Sequence, residues 1–367
     1  MAHTDPDPHV SSTGVAVEVT SRAQPNTRRP KIDGRRHSVA QPVTIRSVAD
    51  EAGVSIATVS RVMSGQTNVS RSRAALVREV AGRLGYTPNP VAQGLKSGSF
   101  RTVAVVVPNL SNPFFYDIIR GIGLKAQAAR YQMVVLDSNE DPDKEVTICR
   151  DVLRYSDGLL LISPRMSAQD LQQLAAEDKP VVMVNRAEVG VGIPSLCVDN
   201  SAAMLEIYGH LSGLGHRKVV YLAGPSASWQ NDMRQAAGIQ AQAFGLEVKV
   251  VPAGGTIATG YKAVGRALEL NPTAIVCFND LSAFGALAGL KEHGIMVPDD
   301  ISLTGFDDIE FSAYAAPSLT TARNPKRELG QLSWTIIEQL MRGEKLLPTP
   351  MLTAELIVRG STAPVRR

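Results

Sequence analysis

The pattern that most constrains the fold begins at Arg101, where short apolar runs start to alternate with stretches of helical periodicity. The apolar runs lie at 103–107, 133–136, 158–162, 181–184, 219–223, 274–278 and 302–305. Several are uninterrupted and β-branched, which is typical of parallel strands covered on both faces. The helical stretches lie at 116–130, 144–154, 202–214, 232–244, 260–270 and 281–293. This alternation predicts a doubly wound α/β architecture. Because about 260 residues is long for one such sheet, we expect two similar lobes with a ligand-holding cleft between them.

Composition is that of an ordinary globular protein and argues against a membrane-spanning one. Of the 367 residues, 44% are hydrophobic, which is usual for soluble domains. No apolar run approaches the roughly 20 residues of a membrane span. The polar N-terminus shows no secretory signal, so we expect a cytoplasmic location and no membrane partner. Three widely spaced cysteines, Cys149, Cys197 and Cys277, indicate reduced core thiols and neither a disulfide framework nor a metal site.

A second pattern, between residues 44 and 95, consists of short helices separated by turn signals. Gly53 stands where a tight turn needs a residue that tolerates positive φ. Ser55 is placed to cap the second helix with its hydroxyl, and Ser70 to cap a third. Apolar residues at helical spacing predict one buried face on each helix; they are Ile45, Val48, Ala49, Ala52, Val59, Val62, Ala74, Val77, Val80, Ala81 and Leu84. The pattern predicts a helix-turn-helix. A small helical bundle without a special role is the alternative.

The second of these helices, at 56–63, turns an unusual set of side chains outward. Ile56 and Ala57 would be exposed on a very short helix, where an apolar pair is rare. In a DNA major groove both can pack on thymine methyl groups, while Arg61 can reach guanine. The positive charge is concentrated here: residues 44–100 carry seven Lys/Arg against three Asp/Glu, whereas the chain beyond residue 100 is net negative. Such a distribution is what binding to phosphates requires.

In their order, the motifs of this chain resemble the LacI/GalR (lactose/galactose repressor) family of bacterial transcription regulators. The resemblance spans about residues 44–360 and rests on TIRSVADEAGVSIATVSRVMSG, GYTPNPVAQGLKSG, PNLSNPFF, CVDN, CFND with AFGAL, VPDDISLTGFDD and PSLTTARNPKRELG. It implies an all-α helix-turn-helix DNA-binding head joined by a hinge helix to a two-lobed α/β core like the type I periplasmic binding proteins. The expected domains are a disordered basic tail (1–43), the head (44–88), the hinge helix and linker (89–100), the effector-binding and dimerisation core (101–360) and a C-terminal tail (361–367).

The resemblance also implies which residues contact DNA. Ile56, Ala57 and Arg61 match base-contacting positions, and Ser55, Thr58 and Ser60 are better placed for phosphates, which position a protein without specifying sequence. In the hinge, Leu95 would be a wedge in the minor groove. The complete DNA-binding set is Thr44, Ser55, Ile56, Ala57, Thr58, Ser60, Arg61, Asn89, Ala92 and Leu95. Two-fold symmetry of a homodimer implies a palindromic operator of double-stranded DNA.

Seven core residues match the family's effector site. They follow predicted strands or open helices, where α/β folds bind ligands, and they are Phe114, Phe115, Asn185, Arg186, Arg234, Asn279 and Asp307. Aromatic faces can stack on a sugar or base ring, and Arg with Asp can clamp vicinal hydroxyls. Alternatives stay open: Asp308 could do the work of Asp307, Phe114 could be core, and Arg186 could pair with a neighbouring carboxylate.

The chain departs from the family pattern around residues 252–256, which read Pro-Ala-Gly-Gly-Thr where many relatives carry an aromatic residue. One wall of the pocket is then open or filled by Trp229. Arg234 stands four residues before Gly238, where three is commoner, which puts Ser228 and Gln230 in doubt as ligand groups. The residues favour a carbohydrate effector, a sugar or a sugar derivative, with a purine or another non-sugar metabolite as the alternative.

No catalytic constellation is visible in the sequence, and neither a cofactor nor a metal is expected. GxSxG, HExxH and P-loop motifs are all absent. Three classes were weighed: a ligand-controlled repressor, a solute-binding protein for transport, and a sugar-modifying enzyme on the same scaffold. The head and the lack of a signal peptide favour the first. Only seven mostly polar residues follow Gly360, too few for a leucine heptad, so we expect dimers and not tetramers.

Overall fold

The computed structural model describes residues 43–65, 68–88, 94, 98–346 and 348–366. The chain divides into two compact units, and the first ends at Tyr86. We call this first unit the head and the part from residue 98 onward the core. The two are described separately.

The described residues of the head form three helices, α1 (Ile45–Glu51), α2 (Ile56–Met63) and α3 (Arg71–Leu84). Thr44 begins α1 with a capping box, in which its hydroxyl accepts a hydrogen bond from the Ser47 amide. Gly53 has a φ of 61° in the turn between α1 and α2, as predicted. Ser55 caps α2, since its Oγ accepts from the Thr58 amide at 3.2 Å. The predicted cap at Ser70 is wrong.

Ser70 does occupy the N-cap position of α3, but its hydroxyl makes no capping hydrogen bond. The hydroxyl lies 3.4 Å from that of Ser72 instead. The predicted apolar faces are otherwise confirmed, because Val48, Ala49, Ala52, Val59, Val62, Val77, Val80 and Ala81 are buried. Ile45, Ala74 and Leu84 are half-buried. The head is therefore held by a small core of mainly valine and alanine side chains.

The first lobe of the core is a five-stranded parallel sheet with the strand order β2-β1-β3-β4-β5. Its strands are β1 (Thr102–Val107), β2 (Gln132–Asp137), β3 (Gly158–Ile162), β4 (Val181–Val184) and β5 (Ser195–Leu196). Three helices connect them, α4 (Phe114–Ala128), α5 (Pro142–Leu153) and α6 (Ala168–Ala175). The central strands β3 and β4 are buried along their whole length. One apolar cluster therefore lies on each face of the sheet.

The second lobe repeats this plan with a four-stranded parallel sheet of order β7-β6-β8-β9. The chain runs through α7 (Asn200–Gly213), β6 (Lys218–Ala223), α8 (Trp229–Gln240), β7 (Glu247–Pro252), α9 (Ile257–Leu268), β8 (Ala274–Cys277), α10 (Asp280–Glu292) and β9 (Ser302–Thr304). Apolar clusters again cover both faces. The expected two-lobed α/β core is confirmed.

After the second lobe the chain crosses back to the first. Strand β10 (Thr321–Arg323) leads into α11 (Lys326–Met341), and β11 (Glu355–Ile357) returns antiparallel to β10. Helix α11 packs against α4 at two glycines, because a Cβ at Gly121 or at Gly330 would meet a main-chain carbonyl of the other helix. Neither α11 nor the return of the chain to the first lobe was predicted from the sequence.

The last described residues, 361–366, contact the second lobe. Ser361 is buried, and its main-chain oxygen accepts a hydrogen bond from the Leu303 amide at 2.8 Å. The imidazole of His216, also buried, lies 3.2 Å from the carbonyl oxygen of Ala363. The C-terminal segment thus acts as an extra edge beside β9.

Candidate effector cleft and DNA-reading face

The carboxyl ends of the parallel strands in the two lobes face each other across a cleft. The cleft contains a cavity of about 70 Å³ that opens to solvent. Loops after four strands of the first lobe and four of the second line it; the lining residues are Asn109, Asn112, Phe114, Phe115, Glu140, Ser163, Arg165, Asn185, Pro225, Gln230, Arg234, Gly255, Thr256, Phe278, Asn279 and Asp307. Every long parallel strand therefore contributes to one site.

Six of the seven predicted effector residues lie in this lining, and Arg186 does not. The Arg186 guanidinium donates to the carbonyl oxygens of Pro164 and Met166 at 3.1 and 2.8 Å, and it forms an ion pair of 2.6 Å with Glu188. Arg186 therefore pairs with a neighbouring carboxylate, as the alternative predicted. Because Arg186 does not line the cleft, it is not part of the proposed site. Its neighbour Asn185 is the residue that reaches the cleft.

The centre of the second-lobe wall is a buried pair formed by Arg234 on α8 and Asp307 after β9. Arg234 Nη2 lies 3.5 Å from Asp307 Oδ1, and both side chains are at most 5% exposed. Arg234 also donates to the Asn200 side chain at 3.0 Å and to the main-chain oxygen of Phe278. Its guanidinium carbon lies 3.6 Å from the centroid of the Phe306 ring, a cation–π contact. The guanidinium is thus fixed from several sides while one edge remains in the cleft.

Burial governs the protonation of this pair. Desolvation raises the pKa of Asp307 to about 7, although the nearby Arg234 and Lys326 oppose the rise. Desolvation also lowers the pKa of Arg234, against the attraction of Asp307. Behind them, burial raises the pKa of Asp280 to about 6 even though it accepts hydrogen bonds from Thr321 and Ser312. Asp307 is therefore poised to change its charge near neutral pH.

Asp308, the alternative to Asp307, faces away from the cleft. Its carboxylate forms ion pairs of 2.7 Å with Arg323 and with Arg359. Partial burial alone would raise the pKa of Asp308, but the hydrogen bonds from these two arginines outweigh it and hold the pKa below its usual value. Of the two neighbouring aspartates, Asp307 therefore lines the cleft and Asp308 does not.

On the first-lobe wall the structure adds a charged pair that the sequence analysis missed. Arg165 Nε lies 2.6 Å from Glu140 Oε2, and both residues line the cleft. The buried carboxylate of Glu145 shapes this wall, because it accepts hydrogen bonds from the main-chain amides of Arg165 and Met166 at 2.7 and 2.8 Å. Glu140 and Arg165 both follow predicted strands, where α/β folds bind ligands, so their positions in the sequence could have indicated them.

Gln230, which the sequence left in doubt, is the side chain that bridges the two lobes. Its amide nitrogen donates to the main-chain oxygen of Asn185 in the first lobe. Its amide oxygen accepts from Arg165 at 3.3 Å. Ser228 instead caps α8 by accepting from the Asn231 amide at 3.3 Å, which explains why α8 begins at Trp229 and not at residue 232 as predicted.

Three phenylalanines supply the apolar surface of the cleft. Phe114 and Phe115 form an edge-to-face pair with centroids 5.1 Å apart, and both line the cleft at the start of α4. Phe278 lies against Gly224 and Gly255, where a side chain would collide with or crowd its ring. Trp229 is not among the lining residues. Gly255 thus leaves room for the aromatic ring that follows β8, and Phe278 fills this wall.

Several lining residues hold a backbone conformation that side chains other than glycine rarely adopt. The φ angles of Glu140, Ser163, Asn185 and Asp307 are 58°, 48°, 63° and 108°. Each of these residues follows a parallel strand and lines the cleft. Such conformations are costly and cluster at functional sites. Their location supports the cleft as the functional site of the core.

On the head, the outer face of α2 carries the predicted base-reading residues. Ile56 is 40% exposed, and Ala57 and Arg61 are exposed as well. Ser55 and Thr58 bond to each other at 2.9 Å through their hydroxyls, which places both at the N-terminus of α2, the end of a helix that suits a phosphate. Asn89, Ala92 and Leu95, together with the hinge helix they would form, lie outside the described residues.

Comparisons with known proteins agree with this architecture. Residues 44–89 match the family model "Bacterial regulatory proteins, lacI family", and residues 208–362 match "Periplasmic binding protein-like domain". The chain is 32% identical over 327 residues to the HTH-type transcriptional repressor CytR of Escherichia coli (strain K12), covering 87% of this chain and 96% of that protein. It is 33% identical over 310 residues to catabolite control protein A of Priestia megaterium, covering 82% and 93%.

Solved structures show the same fold. The lac repressor dimer bound to operator and the anti-inducer ONPF superposes with a TM-score of 0.75 at 28% identity, covering 88% of this chain and 100% of that chain. The transcriptional regulator CelR in complex with cellobiose gives a TM-score of 0.64 at 27% identity, covering 87% and 99%.

The chain belongs to the lacI family of bacterial regulatory proteins. It is a DNA-binding transcriptional regulator with a helix-turn-helix head and a periplasmic-binding-protein-like core, and its family consists of regulators and not enzymes. Among the described residues, no helix combines the length and apolarity needed to cross a bilayer. The same part of the chain holds no group of His, Cys, Asp and Glu arranged for a metal ion.

Proposed function

We propose that this protein is a repressor that binds a palindromic operator as a homodimer and responds to a neutral polyhydroxy effector, a sugar or sugar derivative, in the cleft of the core. The effector contacts would come from Phe114, Phe115, Asn185, Arg234, Asn279 and Asp307, joined by Glu140, Arg165 and Gln230. Base contacts would come from Ile56, Ala57 and Arg61.

The observation that carries the effector class is the charge balance of the cleft. Each charged side chain in the lining has a partner of opposite charge, Arg165 with Glu140 and Arg234 with Asp307. An anionic ligand would have to compete with a carboxylate for its arginine. A neutral ligand rich in hydroxyls can instead donate to the carboxylates and accept from the guanidinium groups. The amides of Asn109, Asn112, Asn185, Gln230 and Asn279 and the three phenylalanine rings suit the same ligand.

A thermal-shift screen tests this assignment. The full chain would be heated with pentoses, hexoses and disaccharides, and in parallel with sugar phosphates, nucleobases and nucleosides. We expect neutral sugars to raise the melting temperature, because a ligand that binds the folded state alone stabilises it by mass action. Selective stabilisation by nucleobases or nucleosides would favour the purine alternative, and selective stabilisation by sugar phosphates would contradict the charge argument.

DNA reading is tested at Arg61. A bidentate arginine–guanine contact discriminates against a wrong base by about 1–3 kcal/mol. With an operator selected from random DNA, Arg61→Ala is expected to lose that much discrimination at one base pair of each half-site. Arg78→Ala, an exposed arginine of α3, removes the same charge and is expected to affect all sequences alike. An equal loss on all sequences for Arg61→Ala would contradict base reading by this residue.

Dimerisation of the core is supported by an exposed apolar surface on the second lobe. Ile257, Tyr261, Phe311 and Tyr314 are 50%, 41%, 57% and 82% exposed. Ile257 and Tyr261 lie on α9, Phe311 lies on the turn at 310–313 and Tyr314 follows that turn; both elements contact α10. Exposed apolar side chains on neighbouring elements are typical of interfaces. Sedimentation equilibrium should show a dimer for the wild type and a weakened dimer for Tyr314→Asp, with Val189→Asp as a control because Val189 is 99% exposed on the first lobe.

A further inference from the structure

The backbone that presents Asp307 to the cleft is strained at two consecutive residues. Asp307 has a φ of 108° and Asp308 a φ of 49°, both in the region that favours glycine. A non-glycine residue in such a conformation destabilises the fold unless its surroundings compensate. Two in succession persist only where the surroundings hold them in place. Neighbouring residues must therefore stabilise the turn at 307–308.

The main support is Lys326, the first residue of α11. Its ammonium group is buried and donates to the main-chain oxygens of Asp307 and Asp308 at 2.5 and 2.7 Å. Two residues before it, Asn324 donates from its side-chain amide to Asp307 Oδ1 at 3.1 Å. A buried ammonium is costly unless its donors are satisfied. The lysine and the strained turn therefore stabilise each other.

Charges of both signs surround the Asp307 carboxylate. Arg234 of α8 pairs with it, Asp280 at the start of α10 repels it, and Lys326 of α11 attracts it. Asp280 is also influenced by Lys326. Lys326 thus attracts both buried carboxylates, and the effector-facing group depends on it both for its position and for its charge.

The position of Lys326 in the chain relates this contact to both lobes of the core. Asp307 follows β9 in the second lobe and pairs with Arg323 of β10 in a parallel bridge. Residues 324–326 then lead from β10 into α11, which packs on α4 in the first lobe. The cleft-lining Phe114 and Phe115 begin α4. Lys326 therefore connects one crossing between the lobes to the backbone of the cleft residue Asp307 by a hydrogen bond.

We propose that Lys326, assisted by Asn324, is a positioning residue of the effector site: it fixes the Asp307–Asp308 turn so that the Asp307 carboxylate faces the cleft, and it ties that turn to the connection between the lobes. The proposal rests on the proposed function, since it assigns Asp307 to effector contact. Lys326 itself does not line the cleft, and it acts through Asp307.

Crystal structures of variants test the positioning directly and need no ligand. In Lys326→Met we expect the turn to leave the left-handed region at residue 307 or 308 and the carboxylate to lose its contact with Arg234. Lys345→Met, an exposed lysine beyond α11, serves as the matched control. Asn324→Ala is a milder second variant should Lys326→Met fail to fold. Wild-type geometry at 307–308 in whichever of the two variants yields a structure would overturn the proposal.

Calorimetric titration with D-ribose and with cellobiose then tests whether Lys326 acts through Asp307. Lys326→Met is expected to weaken binding of the sugar that the wild type accepts by about 10- to 100-fold, the effect of losing charge-assisted hydrogen bonds. In an Asp307→Ala background the same substitution should cause no further loss. Equal losses in both backgrounds would overturn the proposal. Binding of neither sugar by the wild type would count against the sugar class, while the crystal structures would still decide the role of Lys326.

Discussion

Asp307 is expected to lower the free energy of unfolding of the protein, although its carboxyl is part of the proposed effector site. Its carboxyl is buried beside Arg234, yet burial outweighs the attraction and raises its pKa. A side chain that resists ionisation in the folded state destabilises that state whenever it is ionised. Asp307→Asn keeps the shape of the protonated acid without its charge. We therefore expect the variant to be more stable than the wild type and to bind its effector more weakly.

The magnitude follows from the two pKa values. The pKa of Asp307 rises from its ordinary value of 3.8 to about 7, and one unit corresponds to about 1.4 kcal/mol. Ionised Asp307 therefore destabilises the folded state by roughly 4 kcal/mol at pH 8. Because the folded state binds the proton more tightly, this penalty is complete above pH 7. It decreases by about 1.4 kcal/mol per unit as the pH falls, to roughly 2 kcal/mol at pH 5.

Urea unfolding between pH 5 and 8.5 would measure the difference. Both tryptophans of the chain, Trp229 and Trp334, belong to the core, one in each lobe. Their fluorescence therefore reports unfolding of the core without a contribution from the head. Asp178→Asn is a suitable control, because Asp178 is exposed after α6 and its replacement should leave the free energy of unfolding unchanged.

The reasoning would be refuted if Asp307→Asn were less stable than the wild type at pH 8. Such a result would mean that the ion pair with Arg234 outweighs the burial of the carboxylate, since breaking a favourable buried pair is strongly destabilising. A difference independent of pH would also contradict it, because then Asp307 would titrate alike in the folded and unfolded states.

Two further predictions concern packing and the start of the core. Gly330→Ala should lower the free energy of unfolding by about 1–3 kcal/mol, since its methyl group would meet a main-chain carbonyl of α4. Gly209→Ala, which has open space around it in α7, should raise the free energy of unfolding by about 0.5–1 kcal/mol. Urea unfolding measures both. Asp157 accepts hydrogen bonds from the Phe100 and Arg101 amides at 2.7 and 2.8 Å, so Asp157→Ala should speed tryptic cleavage after Arg101, and an unchanged rate would show that other contacts hold this segment.

The fold was predictable where the physical environment of a strand is uniform. The strands β3 and β4 are buried on both faces, so their sequences are continuous apolar runs, and their predicted bounds agree with the structure. The edge strand β7 is mostly exposed and carries Glu247 and Lys249, so it gave no such run. Helix α11 was missed for another reason: nothing local indicates that a segment after the second lobe returns to pack on the first.

The site was predictable to the extent that the ends of parallel strands determine it. The resemblance to the family named Asn185, Asn279 and Asp307, and their positions after predicted strands agreed with it. Position could not separate Asn185 from Arg186, because that choice depends on the left-handed turn at Asn185 and on the carbonyls that hold the arginine. Nor could it reveal Lys326, whose role comes from tertiary contacts with a strained turn and leaves no signal in the sequence.

A final prediction links the protonation of Asp307 to effector binding. With a pKa of about 7, about half of the Asp307 carboxyls carry a proton at pH 7. A sugar hydroxyl that donates to this group favours its ionised form, so binding should release up to about half a proton per site. Calorimetry in phosphate and in Tris, which differ in ionisation enthalpy, would detect the release as a difference between the apparent binding enthalpies. In Asp307→Asn the difference should vanish. Equal enthalpies in both buffers for the wild type would mean that the effector does not contact the ionised carboxylate, and the proton at Asp307 would then have no part in regulation.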